Sequence, residues 1–261
     1  MHIVIEDLHK RFGSNVVFEG VNLEIPAGQL CMIVGRSGIG KSVLLKHIVG
    51  LLQPDSGRIL IDGQDIVGLS EKDLLAVRKR FGMIFQTGGL LQSLTVGQNV
   101  GLPLTEVYHE KPSEVDRIVA EKLNLVGLKG REEQSPSTLS GGQRKRAAIA
   151  RALTTRAECF LFDEPTAGLD PPMAENVDDI VKKVNRDIGA TVIEVTHDMT
   201  SVFELADVVH MLHDGKIVFS GDIHQLRDSG DPVVREFLSR DLQSEMTRQS
   251  QSSSEAVART E

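Results

Sequence analysis

The chain has 261 residues, 40% of them hydrophobic and 25% charged, with a formal net charge of −8. That size fits one large or two small globular domains, and the acidic balance argues against a nucleic-acid partner, which calls for a basic face. No apolar run reaches the roughly 20 residues that cross a bilayer, and the N-terminus lacks a secretory signal, so the expected place is the cytosol, with any membrane role exercised through a partner.

In chain order, residues 2–8, 16–25 and 29–34 are β-rich, separated by the turn residues Phe12-Gly13-Ser14-Asn15 and Pro26-Ala27-Gly28. The apolar strand 30–34 runs into Gly35, Arg36, Ser37, Gly38, Ile39, Gly40, Lys41 and Ser42, and the segment from Val43 to Val49 continues as a helix. Every fixed position of G-x-x-x-x-G-K-[ST] is filled in the required strand–loop–helix context. Glycines let the backbone approach phosphate oxygens, and the helix N-terminus aims unpaired N–H groups at them. Lys41 supplies charge to the β- and γ-phosphates, and the Ser42 hydroxyl is placed to ligate Mg²⁺.

Further along, residues 58–62 form a strand, and Ser70 with Asp73 signals a short helix toward Arg78. Ser113, three residues before Asp116, opens a helix whose apolar positions are Val115, Ile118, Val119 and Val126. Residues 141–153 form a basic helix preceded by Leu139, Ser140, Gly141, Gly142 and Gln143. Taken alone, that serine is an N-cap; a hydroxyl and glycine amides at a helix N-terminus also suit an anion. The pattern then alternates: strand 159–162, helix 173–188, strand 191–195, a helix near 201–205, and a hairpin of 208–212 with 216–219. Such alternation predicts a mostly parallel sheet covered by helices. Residues 231–238 form a last short helix, and 239–261, poor in large apolar residues, are expected to be a disordered tail. Cys31 and Cys159 lie in apolar runs without metal-type spacing and read as small buried hydrophobes.

The strand ending in Asp163-Glu164 supplies what a phosphate loop needs next: an aspartate for Mg²⁺ and a second acid able to polarise an attacking water. With the Ser-Gly-Gly helix start about 20 residues upstream, the chain closely resembles the ATP-binding cassette (ABC) ATPases. The resemblance implies an α/β P-loop NTPase fold over residues 1–238, with an N-terminal antiparallel β subdomain and an α-helical subdomain at about 88–156. It also implies roles: Phe12 stacks on adenine, Gln86 touches Mg²⁺ or water and senses the partner, and Asp170 belongs to a loop crossing a dimer seam. Glu164 is then the general base, His197 contacts the γ-phosphate, and Leu139 to Gln143 bind ATP held by a second copy of the chain.

Departures are small: Val43 follows the loop in place of the commoner Thr, Ile39 is bulky, and Phe12 replaces Tyr. Phe85-Gln86-Thr87-Gly88-Gly89-Leu90-Leu91, Arg144-Lys145-Arg146 and the segment 231–238 look like the ATPase of Mla-type phospholipid transport systems. That likeness implies a homodimer held on the cytoplasmic face of the inner membrane through an integral membrane permease, with an Mce-domain protein and a small regulatory subunit as further partners. A polar-solute importer would carry the same ATP site. A non-transport cassette acting on nucleic acid or protein complexes is the third alternative, disfavoured by the single cassette and acidic charge.

Overall fold

The computed structural model describes residues 1–239. Strands β1 (Ile3–Phe12) and β2 (Asn15–Ile25) pair antiparallel through a tight turn at Gly13-Ser14. With β4 (Ser56–Ile61) and β5 (Gln64–Asp65) they make a four-stranded antiparallel sheet, ordered β2-β1-β4-β5. The expected end of β1 at Leu8 is corrected: Asp7, at φ 47°, sits in a bulge, and the strand resumes as far as Phe12.

The second sheet has six strands, ordered β10-β9-β3-β8-β7-β6. Within it β3 (Leu30–Val34), β6 (Phe81–Ile84), β7 (Cys159–Asp163), β8 (Thr191–Thr196) and β9 (Val208–His213) run parallel, and β10 (Lys216–Gly221) closes the edge antiparallel. All residues of β3, β7 and β8 are buried, as a parallel sheet covered on both faces requires. Alternation divides the core. Cys31, Ile33, Leu161 and Ile193 pack with Ile3, Ile5 and Phe18 of the first sheet and with Leu44, Leu45 and Ile48 of α1 (Lys41–Ile48). Met32, Val34, Phe160 and Phe162 point the other way, toward the longer helices.

α2 (Glu71–Arg78) is capped by Ser70, whose hydroxyl accepts from the Asp73 amide at 3.3 Å. Between β6 and β7 come α3 (Val96–Glu106), α4 (Pro112–Leu125), a 3-10 turn at Pro136–Thr138 and α5 (Gly141–Ala152). The sequence did not announce α3, which contains Gly97, Gly101 and Pro103, all poor helix formers. A reciprocal Thr95–Gln98 cap starts it. Gly101 is there for packing, since a Cβ at that position would lie 2.9 Å from Val115 Cγ1 of α4. The expected cap at Ser113 is also corrected: Lys111 is the N-cap and Pro112 the first helical residue, where its missing N–H costs nothing.

α6 (Pro171–Arg186) and α7 (Met199–Leu205) flank β8, and α8 (Ile223–Arg227) follows the closing hairpin. A final helix, α9, spans 232–239, so the expected tail loses its first residue, Ser239, to this helix; its remainder, 240–261, lies outside the described residues. Among the described residues no helix is long and apolar enough to cross a membrane.

Candidate active site

Three neighbouring parallel strands, β3, β8 and β7, deliver their carboxyl ends to one place, the usual position for a ligand in an open α/β sheet. The loop after β3 needs its glycines. Gly35 has φ +153°, and a Cβ there would meet the Leu212 carbonyl oxygen at 2.5 Å. Gly40, at φ +110°, approaches β2 so closely that a Cβ would meet Val17 Cγ1 at 2.7 Å. The first sheet therefore braces the loop from behind. Arg36, Ser37 and Gly38 are exposed, Ile39 and Gly40 half-buried, and no side chain caps the N-terminus of α1. Its first amides, at Lys41, Ser42 and Val43, leave a partial positive charge directed outward.

Lys41 is buried and curls back over its loop, donating to the carbonyls of Gly35 at 2.7 Å and Arg36 at 3.2 Å. Its ammonium is 3.3 Å from Glu164 Oε1. Ser42 Oγ donates to Asp163 Oδ1 at 2.7 Å, joining the helix start to the end of β7. Glu164 adopts φ 51°, which is uncommon without a glycine, and its N–H donates to Val195 O of β8 at 2.9 Å. That turn aims the carboxylate between Lys41 and His197, whose Nδ1 donates to Glu164 Oε2 at 2.6 Å. Five side chains from three strand ends thus form one connected constellation.

Their electrostatics differ. Burial pushes the Asp163 carboxyl upward, past what the Ser42 hydrogen bond and nearby lysines recover. Burial also pushes Glu164 upward, but the His197 hydrogen bond and the Lys41 charge win, and its carboxyl rests below the ordinary value. The same hydrogen bond raises His197 above the ordinary imidazole value against the opposing effect of burial. The Ser42 hydroxyl beside the buried Asp163 carboxylate, which forms no ion pair among the described residues, is a hard-oxygen donor pair that fits Mg²⁺.

The other sequence-marked residues stand apart from this group. Ser140 caps α5 reciprocally with Gln143, at 3.3 Å and 3.0 Å, leaving Ser140 and Gly141 exposed and Leu139 buried. Gly142 is buried where a Cβ would meet Met173 Sδ at 2.8 Å. Among the described residues no hydrogen bond or ion pair links residues 139–143 to residues 35–42. Asp170 caps α6 through the Met173 amide at 3.0 Å. Gln86 is exposed just after β6, and Phe12 stands 47% exposed at the tip of the β1–β2 hairpin.

Two features were not read from the sequence. Arg151 donates to the carbonyls of Gly89 at 2.7 Å and Gly88 at 3.0 Å, fixing the loop after Gln86. Lys145 is buried and donates to the carbonyls of Ala167 at 2.5 Å and Glu164 at 3.2 Å. Its signal was the helical stripe Gly142, Lys145, Ile149, Ala152, which places a lysine on the buried face of α5 where it must find acceptors.

Comparison with known proteins decides the family. The ABC transporter family model matches residues 18–167, and the solved dimer of the ATP-binding cassette MJ0796 in a post-hydrolysis state with ADP and Pi superposes with a TM-score of 0.79 at 32% identity, covering 85% of this chain and 98% of that one. The chain belongs to the ABC transporter family. It is an ATPase and the ATP-binding component of such a system. It is 44% identical to the probable ribonucleotide transport ATP-binding protein mkl of Mycobacterium leprae, over 90% of this chain and 68% of that protein. It is 40% identical to the intermembrane phospholipid transport system ATP-binding protein MlaF of Haemophilus influenzae, over 90% of this chain and 89% of that one. The methionine import ATP-binding protein MetN of Rhizobium johnstonii is 42% identical over 84% of this ABC chain, which spans 60% of MetN.

Proposed function

We propose that this cassette hydrolyses ATP to drive a membrane permease that moves phospholipid. The observation that carries the reading is the convergence of Lys41, Ser42, Asp163, Glu164 and His197 at three strand ends. The uncapped start of α1 and the amides of residues 36–42 cradle the phosphates, with Lys41 as their cation and Phe12 beneath the adenine. Ser42, Asp163 and Gln86 would hold Mg²⁺, which would offset the charge of the phosphates.

A γ-phosphate competes with Glu164 Oε1 for the Lys41 ammonium, which frees that oxygen to accept a proton from the attacking water. His197 holds Oε2 and so fixes the direction of the carboxylate, and its ring would stabilise charge developing on the γ-phosphate. Ser140, Gly141 and Gly142 serve the site of a second copy, with Leu139 and Gln143 shaping the helix start and Asp170 at the seam. A head-to-tail dimer then closes over two nucleotides at once. The dimeric MJ0796 cassette supports pairing of two copies.

A groove of about 640 Å³ lined by Leu75, Phe81, Leu102, Val107, Tyr108 and Arg151 lies beside the loop after Gln86. Leu75 is 54% and Val107 39% exposed there. We assign it to a short cytoplasmic helix of the permease, which would hold the chain at the inner face of the membrane. The likeness to MlaF supports phospholipid as cargo; an Mce-domain protein and a small regulatory subunit complete the assembly in this reading.

The experiment is ATP-dependent transfer of labelled phospholipid between vesicles by the chain purified with its membrane partner. Transfer is expected, and Glu164→Gln should abolish it while retaining ATP affinity and slowing turnover by about 100-fold or more. Near-normal turnover in that variant would rule out Glu164 as the base. Movement of labelled methionine without phospholipid would overturn the cargo.

A further inference from the structure

The residue that connects the Ser140 helix to the hydrolytic centre of the same chain is Lys145. Its ammonium sits in the mouth of the turn that follows β7: the Ala167 amide donates to the Glu164 carbonyl at 3.3 Å, and Lys145 closes both ends of that turn by donating to the carbonyls of Glu164 and Ala167. One end of the turn is the backbone of the proposed base. The other leads through Leu169 to the Asp170 cap of α6. Side-chain packing reinforces the contact, because the missing side chain at Gly142 lets Met173 and Leu169 close directly onto α5. The buried Lys145 donating to two part-buried carbonyls is a stiff link: moving α5 without the turn would break both bonds and leave a buried donor unpaired.

We propose that Lys145 is a positioning residue coupling the two nucleotide sites of the closed dimer: a shift of α5, set by Ser140 engaging nucleotide on the partner, is passed through Lys145 to the backbone of Glu164, which serves the chain's own nucleotide. This rests on the dimer reading above and adds to it a physical connection with two ends. Ser140 stands outside α5 and Lys145 inside it, about one and a half turns apart. The link acts on the carbonyl of Glu164, leaving the Lys41 and His197 contacts to orient its carboxylate.

The test compares steady-state ATP hydrolysis by the full chain and by Lys145→Met, Lys145→Gln and Lys145→Arg, with folding followed by thermal melting. Lys145→Met should lower kcat by about 10- to 100-fold, the size of effect expected when a base is misplaced by about an ångström. It should leave KM for ATP within about 3-fold and bring a Hill coefficient above 1 down to about 1. Lys145→Arg, which retains a cation and several donors, should recover most of the Hill coefficient. If the methionine variant does not fold, Lys145→Gln replaces it: its shorter uncharged side chain reaches one carbonyl at most, and both kcat and cooperativity should still fall. Wild-type kcat and Hill coefficient in whichever variant folds would overturn the proposal, as would a Hill coefficient of 1 in the wild type. ATP-induced pairing of Glu164→Gln, measured alongside, separates the two readings. Pairing with an unaffected Lys145 variant refutes only the coupling, whereas no pairing refutes the dimer itself.

Discussion

Glu164 is the proposed general base, and its surroundings are asymmetric. Lys41 approaches one carboxylate oxygen at 3.3 Å and His197 the other at 2.6 Å. The carboxyl is held below its ordinary 4.5 and the imidazole above its ordinary 6.5. Because the glutamate value is depressed by folding, its contribution to stability is complete above pH 4.5 and lost as pH falls through the lowered folded value. For His197, raised by folding, the contribution is complete below pH 6.5 and fades as pH climbs through the raised folded value. The charged pair therefore persists across the interval between those two folded values. An NMR titration of the nucleotide-free chain should place the His197 midpoint above 6.5, and Glu164→Gln should bring it back down. An unchanged midpoint in that variant would mean the carboxylate does not hold the ring. Lys41, Ser42, Asp163 and Glu164 were legible in the sequence because fixed spacing next to apolar strands defines them. Lys145 was not, since its meaning depends on which face of α5 is buried and on two carbonyls about 20 residues away.

Among the elements, the strands were the easiest to read, because β3, β7 and β8 are continuous apolar runs that end in polar motif residues. The bulge at Asp7 and the helix α3 were hidden for a common reason: tertiary contacts decide them against local propensity. α3 persists with two glycines and a proline because its Asn99 is fully buried and ties the preceding loop down. The Asn99 amide accepts from the Leu91 N–H at 2.7 Å and donates to the carbonyls of Leu91 and Thr95, each at 2.9 Å, and of Leu94 at 3.3 Å. Asn99→Ala leaves several of these groups buried without partners and should lower stability by about 1–3 kcal/mol. A urea titration would show this as a lower midpoint at unchanged slope. No change in midpoint would show that the loop does not need this anchor.

At the scale of the whole molecule, the two surfaces proposed to bind nucleotide coexist without meeting. One is the phosphate loop braced by the antiparallel sheet; the other is the exposed start of α5 on the helical side. A surface of each kind on every copy is what a two-fold, head-to-tail pair requires, since each nucleotide then bridges unlike faces. In the proposed pair, nucleotide binding would supply the differential affinity that favours closure, and hydrolysis would remove it. The most direct measurement is sedimentation of Glu164→Gln with and without ATP and Mg²⁺ at matched concentration. A shift from monomer to dimer that requires ATP, and that ADP does not produce, is the predicted result. A chain that stays monomeric with ATP bound, at concentrations well above those used for hydrolysis, would contradict the account.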